Sequence, residues 1–303
     1  MCEVRFGNFK FRSSIEKGTV MERIKKVKNK RGERVIPGFG MNLGITVTML
    51  SLLVLIPLAS VFIRCTSLSF SDFIKAITSE TALSAYYVTI KCSLIAALIN
   101  GVFGILLAWV LVRYDFPGKR LMDGMIELPF AMPTAVAGIT LTNLYSDKGI
   151  VGSWLANLGI SVAYTRIGIT IAMVFIGIPF VVRAIQPVLS KMDFQYEEAA
   201  RMLGAGKIRT FFKVVLPEIL PAALTGFGLA FARGIGEYGS VEFISKGDQD
   251  TTVVSMLIMK ELNAGSSDYA GATSIALVML IFSFILLFVI NMVQVHYAKY
   301  TAD

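Results

Sequence analysis

The stretch EAARMLGAGKIRTFFKVVLP, residues 198–217, is a polar, basic segment set between two apolar segments of membrane-spanning length. Just before and within it, residues 196–203 are rich in good helix formers. Glu197 and Glu198 lie in the first turn, where the helix dipole favours negative charge. Gly204 then supplies the positive φ of a helix stop. The pattern predicts a short helix that ends in a tight turn.

A second helix is predicted after this turn. Residues 207–215 place four large apolar side chains on roughly one face, with basic side chains off it. The apolar ones are Ile208, Phe211, Phe212 and Val215. Pro217 is expected to end this helix or to start the next one. The whole helix-turn-helix, about residues 189–218, is termed the EAA loop below, after Glu198-Ala199-Ala200.

The EAA loop is predicted to be a docking element for another protein. The alternative is a basic amphipathic helix that lies on anionic lipid. Ala199, Ala200 and Gly204 argue against this alternative, because small residues permit close approach to another backbone whereas lipid binding gains from bulk.

Composition places the chain in a bilayer. Of 303 residues, 55% are hydrophobic and only 17% are charged, and the mean hydropathy is +0.67. Alternating apolar patterns typical of a transmembrane β-barrel are absent from the sequence, so helices are expected to satisfy the backbone in lipid. The predicted fold class is an all-α polytopic membrane protein with six transmembrane helices. The predicted spans are residues 42–63, 83–112, 121–145, 165–188, 219–241 and 270–295.

The distribution of Lys and Arg predicts the orientation. Eleven of these residues precede the first span, within a basic N-terminal tail over residues 1–37 that leads into the six-helix domain, residues 38–303. The connections after the second and fourth spans are also rich in Lys and Arg, whereas the alternate connections are poor in them. The positive-inside rule therefore predicts cytoplasmic N- and C-termini and a cytoplasmic EAA loop. The expected location is the cell inner (plasma) membrane, with a plastid membrane as the alternative.

The net charge of +8 needs no nucleic-acid partner to explain it. The basic tail holds most of that charge and is expected to bind anionic membrane lipid. Aromatic residues in it are limited to Phe6, Phe9 and Phe11, so RNA or DNA binding is not expected. The sequence also presents no catalytic triad and no metal-ligand spacing, so neither a catalytic residue, a metal nor a cofactor is predicted.

Two regions indicate a pore. Pro129 and Pro133 interrupt the third predicted span, and a proline in a membrane helix frees carbonyl groups that a water-filled path can accept. Thr134 and Gly138 give the interrupted stretch a small, partly polar wall, although a simple packing kink explains the prolines equally well.

Arg233 and Glu237 are one helical turn apart in the fifth predicted span. A structural ion pair is the first expectation, because charges at that depth are costly unless they pair or face water. The sharper hypothesis is that Arg233 lines a translocation path in which Gly234, Gly236 and Gly239 leave backbone N–H groups open to an oxyanion. In the same span Ala222, Gly226, Ala230 and Gly234 form a small-residue ridge that predicts tight helix packing.

Several segments together resemble one family. EAA, then Gly204, Val214 and Leu216-Pro217, resembles the EAA loop of ABC-importer permease subunits. LPFAMPTAVAG from residue 128, IPFVVRAIQPVL from residue 178, YEEAARMLGA from residue 196 and RGIGEYGSVEFISKG from residue 233 resemble the T subunits of sulfate/thiosulfate ABC permeases. The likeness runs from about residue 36 to the last span, and the long basic tail departs from it.

The resemblance implies a type I ABC-importer permease fold and an alternating-access mechanism. It implies a dimeric ABC ATPase partner, a sister W permease subunit that completes a heterodimer, an extracytoplasmic binding protein, and sulfate or thiosulfate as cargo. It assigns ATPase coupling to Glu197, Glu198, Ala199, Ala200, Gly204, Phe211, Leu216 and Pro217. Glu198 is expected to contact the ATPase and Gly204 to form the turn. Phe211 and Phe212 are expected to serve as anchors nearby or in the adjoining bundle. The tentative path residues are Pro129, Pro133, Thr134, Arg233, Gly236, Glu237 and Gly239.

The chain itself is not expected to hydrolyse ATP. A phosphate loop requires Ser or Thr after its Gly-Lys and an earlier Gly, and here those places are held by Ile208 and Arg201. Two rival functions stay open. A homodimeric molybdate or tungstate permease shares the fold and the EAA loop. A secondary anion transporter predicts internal repeats and intramembrane carboxylates, yet no repeat is evident and only Glu127, Glu237 and Glu242 are in or near spans.

Overall fold

The computed structural model describes residues 39–66, 68–264 and 269–300, and these residues form helices and connections without a strand. The predicted basic tail, residues 1–37, lies outside them. Contacts divide the chain between Ser60 and Val61 into two compact units. The helices, numbered here in chain order, are α1 Phe39–Thr66, α2 Phe70–Ile77, α3 Glu80–Arg113, α4 Lys119–Ala131, α5 Thr134–Tyr145, α6 Ile150–Asn157, α7 Arg166–Lys191, α8 Gln195–Met202, α9 Lys207–Ile235, α10 Gly239–Ile244, α11 Val254–Asn263 and α12 Ala270–Tyr300.

Four of the six predicted spans coincide with single helices to within a few residues: α1, α3, α7 and α12. The third and fifth predicted spans do not. By length and composition, the described residues contain five helices able to cross a membrane, or six if one bent pair counts as a span.

The third predicted span is interrupted, as its two prolines predicted. It consists of α4 and α5, whose axes are bent by 114°. Met132, which precedes Pro133, is extended at φ −95° and ψ 141°. A residue before proline is driven out of the helical region by the ring of that proline, so the helix stops there. Pro129 is accommodated inside α4, and Pro133 produces the break.

The fifth predicted span is wrong at both ends. It begins twelve residues earlier, at Lys207, and ends at Ile235, so it is continuous with the second arm of the EAA loop. Pro217 was expected to end the second arm or to start the next helix, yet one helix passes through it. A π-helical turn at Phe211–Val215 ends two residues before this proline. Because a proline ring clashes with the carbonyl four residues back, the wider π-turn gives it room without a break.

The second unit packs around α3, α7 and α9. Val181 of α7 is fully buried between glycines of the other two helices. A Cβ on Gly104 would lie 2.6 Å from Val181 Cγ1, and a Cβ on Gly226 would lie 2.6 Å from Val181 Cα. The small-residue ridge predicted in the fifth span is therefore confirmed as a packing surface.

Candidate functional site

The turn of the EAA loop is closed by backbone hydrogen bonds. Helix α8 ends at Met202, and Gly204 adopts φ 81°, as the sequence predicted. The Gly204 N–H donates to Arg201 O at 2.9 Å, and the Ala205 N–H donates to Ala200 O at 3.0 Å. These bonds satisfy carbonyl groups at the end of α8. The turn is thus a defined shape rather than a loose connection.

Large apolar side chains project from this turn. Met202 is 91% exposed, Leu203 89% and Ile208 77%. Arg201, Lys207 and Arg209 flank them and are also exposed. Adjacent exposed apolar side chains around a tight turn gain free energy when another protein or lipid covers them. The geometry therefore presents an apolar tip with a basic rim.

The two glutamates at the start of α8 lie in different environments. Glu198 is exposed beside Ala199. Glu197 is buried, with its carboxylate Oε1 2.9 Å from Arg113 Nε at the end of α3. This contact is ionic, because its angles fall short of hydrogen-bond geometry. Arg201 approaches the other carboxylate oxygen of Glu197 at 3.8 Å.

The sequence assigned Glu197 and Glu198 to ATPase coupling and only Glu198 to direct contact with the ATPase. Glu197 faces inward and joins α8 to α3, whereas Glu198 is exposed. Phe194 reinforces this junction, because the guanidinium carbons of Arg113 and Arg201 each lie 5.5 Å from the centre of its ring.

The second arm joins the bundle through Phe211. Its ring centre is 5.2 Å from that of Trp109 on α3, while Phe212 is more than half exposed. Leu216 packs against the core cluster around Val181 and Ile185, and Pro217 is exposed. Both arms of the EAA loop thus contact the last turns of α3, one through charge and one through aromatic packing.

A second candidate site lies where two helix breaks meet. The break between α4 and α5 and the break between α9 and α10 bring Thr134 against Gly239, whose missing Cβ would fall on Thr134 Oγ1. A Cβ on Gly138 would lie 2.5 Å from Ser240 O. Thr142 Oγ1 also donates to Phe243 O at 3.0 Å. Glycine is required at both positions by this backbone contact between α5 and α10.

Arg233 and Glu237 form an ion pair at this junction. Glu237 follows the end of α9, which corrects its predicted place inside the span. Its carboxylate Oε1 accepts from the N–H and the hydroxyl of Ser240, both at 2.9 Å, and it is 1% exposed. The Arg233 side chain is one-third exposed. The carboxylate is thus held by several partners, whereas the guanidinium retains an open side.

The prediction that Gly234, Gly236 and Gly239 have open backbone N–H groups is wrong for the first two. Gly234 lies inside α9, and the Gly236 N–H donates to Ala232 O at 3.4 Å. The N–H groups of Gly234 and Gly236 are therefore used by α9 itself. This helix ends at Ile235, whereas the sequence predicted an end at residue 241.

The sequence reading missed a charged cluster on α4 and α7. Arg183 contacts Asp123 at 3.0 Å and Glu127 at 2.6 Å, and Gln186 donates to Asp123 Oδ1 at 3.1 Å. The signal was an arginine within an apolar span and two carboxylates four residues apart, of which only Glu127 was noted. These four residues are termed the Arg183 cluster below.

The chain is similar to known membrane transport proteins. Residues 100–299 match the family model described as binding-protein-dependent transport system inner membrane component. The chain is 45% identical to the sulfate transport system permease protein CysT of Escherichia coli K12, over 88% of this chain and 96% of the relative. It is 47% identical to the CysT protein of Synechococcus elongatus, over 83% of this chain and 90% of the relative.

Solved structures share the fold at lower identity. A bacterial ABC transporter involved in the import of the acidic polysaccharide alginate superimposes with a TM-score of 0.71 at 15% identity, covering 92% of this chain and 99% of that chain. The inward-facing MetNI methionine ABC transporter gives a TM-score of 0.56 at 14% identity, covering 71% of this chain and 95% of that chain.

Proposed function

The chain belongs to the family of binding-protein-dependent transport system inner membrane components, and we propose that within it this protein carries sulfate or thiosulfate. It is a polytopic inner-membrane permease subunit of an ABC importer with the type I fold. It is not itself an enzyme, because ATP hydrolysis belongs to a separate ATPase subunit, and the importer also uses a binding protein. The molybdate and secondary-transporter alternatives are not favoured, since the relatives at 43–47% identity are named sulfate permeases.

The observation that carries the coupling proposal is the continuity of α9. One helix runs from the apolar tip of the EAA loop to the break beside Glu237. Because no loop interrupts α9 between the π-turn and Ile235, a displacement at Lys207 is carried along one helix to the break. When the ATPase dimer closes on its nucleotide, the EAA loop moves with it, and α9 transmits this motion to the breaks.

The proposed contact surface on the ATPase side comprises Glu198, Ala199, Met202 and Leu203, with Gly204 holding the turn. Ala200, Phe211, Leu216 and Pro217 support it from behind. Glu197 acts through its pairing with Arg113 rather than by touching the partner. An apolar groove with an acidic rim on the ATPase complements this surface.

The proposed translocation path passes the paired breaks. Pro133 and Thr134 border it on one side, and Arg233, Gly236 and Gly239 border it on the other, with Glu237 setting the position of Arg233. A partly exposed guanidinium attracts a tetrahedral oxyanion and presents paired donors to it. Pro129 shapes the preceding helix, because it lies within α4 and is buried.

The assembly is proposed to be a heterodimer with a sister W subunit, since one such chain supplies half of a path. The N- and C-termini and the EAA loop are proposed to be cytoplasmic, as the excess of Lys and Arg before α1 and in the EAA loop favours.

Sulfate uptake tests this function. In cells that lack their own sulfate permease, co-expression of this chain with its ATPase, sister permease and binding protein is expected to restore uptake of labelled sulfate. Excess unlabelled thiosulfate should compete, and molybdate at the same concentration should not. Restored uptake of molybdate without sulfate would refute the proposed cargo.

A further inference from the structure

The Arg183 cluster lies at membrane depth. Helix α7 has 26 residues and is about 39 Å long, and Arg183 precedes its end at Lys191 by eight residues, or about 12 Å. Glu127 is equally far from the start of α4 at Lys119. Because the hydrocarbon layer is about 30 Å thick, Arg183 lies within it when α7 is centred in the layer. Glu127 contacts Arg183 and therefore lies at a similar depth.

These charges are not enclosed by the chain. The Glu127 side chain is 58% exposed and that of Asp123 is 40% exposed. A carboxylate that faces hydrocarbon is costly, so such groups in membrane segments face protein or water. Asp123 and Arg183 line a cavity of about 670 Å³ on the side of the EAA loop, together with Lys119, Arg120 and Gln186. A water-filled cleft accounts for the exposure of Asp123, and Glu127 contacts Arg183 one helical turn further along α4.

The guanidinium of Arg183 is occupied by groups that resemble an oxyanion. Its Nη1 contacts Asp123 Oδ1 at 3.0 Å and donates to Gln186 Oε1 at 2.5 Å, and its Nη2 contacts Glu127 Oε1 at 2.6 Å. Carboxylate oxygens and sulfate oxygens compete for the same planar fork. The buried Nε of Arg183 has no hydrogen-bond partner among residues 39–66, 68–264 and 269–300, so one donor is unmet.

We propose that Asp123, Glu127 and Arg183 form a charge gate for the oxyanion, in the half of the path next to the EAA loop. In the arrangement seen here, two carboxylates around one guanidinium leave one net negative charge, which repels a dianion. When α4 and α7 separate, the carboxylates leave Arg183, and its fork takes the passing oxyanion. This gate rests on the proposed transport function and deepens it.

A short connection joins the helix that carries Arg183 to the first helix of the EAA loop. Helix α7 ends at Lys191 and α8 begins at Gln195, so three residues separate the helix that carries Arg183 from the ATPase-docking helix. A displacement of α8 therefore acts directly on the end of α7. Lys119 lies at the rim of the cavity, and its Nζ donates to Asp115 Oδ1 at 2.8 Å. This hydrogen bond is the main cause that lowers the pKa of the Asp115 carboxyl below its ordinary value. Arg120 on the same rim would draw a released anion away from the gate.

Anion leak through the assembled importer tests the gate. In proteoliposomes without ATP, Asp123→Asn/Glu127→Gln changes the net charge of the cluster from −1 to +1 and is expected to raise efflux of labelled sulfate at least about tenfold, equivalent to about 1.4 kcal/mol of barrier. Arg183→Gln is expected to lower ATP-driven uptake by about tenfold without leak. Asp72→Asn, which breaks an exposed ion pair with Lys75, is the control and should change neither rate. Wild-type rates in both Asp123→Asn/Glu127→Gln and Arg183→Gln would overturn the gate.

Accessibility provides a second measurement that does not depend on cargo. With the native cysteines replaced by serine, Glu127→Cys in the assembled importer is expected to react with a membrane-impermeant thiol reagent applied from the EAA-loop side, and added sulfate should slow the reaction. Val102→Cys, at an exposed apolar position on α3, should stay unreactive. An unreactive Glu127→Cys would overturn the gate even if sulfate uptake is normal. If the wild-type importer carried no sulfate but Glu127→Cys reacted, the proposed cargo would fail while the water-filled position of the gate stood.

Discussion

At the residue scale, the fold depends on positions where a side chain is absent. Gly104, Gly138 and Gly226 each face another segment at a distance that excludes a Cβ. In a membrane, helix association relies on such close packing because lipid tails are as apolar as leucine. Elsewhere single charges matter, since Glu197 and Glu237 are both buried and each depends on a specific arginine.

Gly104→Ala is expected to destabilise the protein, because the new Cβ meets the buried, β-branched Val181 at 2.6 Å. The cost of overpacking is about 1–3 kcal/mol, which should lower the midpoint of thermal unfolding in detergent by several degrees. Gly101→Ala lies three residues away on the same helix, and its Cβ would meet only Phe227, at 4.0 Å. This control should match or exceed the wild-type midpoint. Equal midpoints for both variants would contradict the packing assigned to Val181.

Arg113→Met is expected to disconnect α8 from α3 by leaving the Glu197 carboxylate buried without its nearest cation. Breaking a buried pair costs about 3–5 kcal/mol. ATP hydrolysis stimulated by the binding protein should fall, while basal hydrolysis by the ATPase persists. Arg113→Met/Glu197→Leu removes both charges and should recover part of the stimulation. A double variant no better than the single one would show that the pair has no positioning role.

Leu203→Ala removes an apolar side chain that is 89% exposed, so it should leave folding unchanged and weaken ATPase binding. A loss of about 1–2 kcal/mol, or about tenfold in the dissociation constant, is expected for one side chain at an interface. Ile150→Ala, at a position 87% exposed on α6, is the matched control. Co-purification of the ATPase under increasing salt and detergent measures the difference, and unchanged retention of the ATPase by Leu203→Ala would count against the tip as a docking surface.

At the element scale, α9 unites two functions that the sequence suggested were separate. A helix over residues 207–215 and the small-residue ridge were readable from the sequence, and both are confirmed. The predicted apolar face is confirmed only for Phe211 and Val215, because Ile208 and Phe212 are exposed. The continuity through Pro217 was not readable, because a local proline rule gives no account of the π-turn that accommodates it. The break after Met132 shows the converse, since the restriction on a residue before proline ends the helix there, whereas the sequence left a packing kink equally open.

The Arg183 cluster illustrates another limit of sequence reasoning. Asp123 and Glu127 share a helix face by their spacing, which the sequence shows. Their partner on α7 is sixty residues away in the chain and meets them only through tertiary packing. Likewise the burial of Glu197 and the exposure of Glu198 depend on Arg113, a residue on another helix.

Interruption of α9 tests its role as a rigid connection. Two glycines inserted after Glu218 should break the helix, because glycine costs about 1 kcal/mol per position relative to alanine and the insertion shifts the register of its buried face. The EAA loop should still bind the ATPase, and basal hydrolysis should continue. Sulfate uptake should be lost. The same insertion between Lys246 and Gly247, in the connection after α10, is the control expected to retain more transport.

At the scale of the whole molecule, the second unit, from Val61 onwards, has two ends of different chemistry. The EAA loop, the junction with Arg113 and the Arg183 cluster gather at one end. The Ser245–Val253 connection, with Asp248 and Lys246, belongs to the segment beyond the breaks. In the proposed mechanism, motion applied at the first end reaches the breaks through α9 and the charge gate through α7.

The most direct test of this transmission is site-specific crosslinking at the tip of the EAA loop. A photoreactive residue at Leu203, in inverted membrane vesicles that carry the assembled importer, is expected to crosslink to the ATPase, with a yield that changes between nucleotide-free and ATP-bound states. An impermeant reagent should label Leu203→Cys in inverted vesicles and not in right-side-out ones. Labelling from the outer face, or no crosslink to the ATPase in any nucleotide state, would contradict the coupling role of the EAA loop.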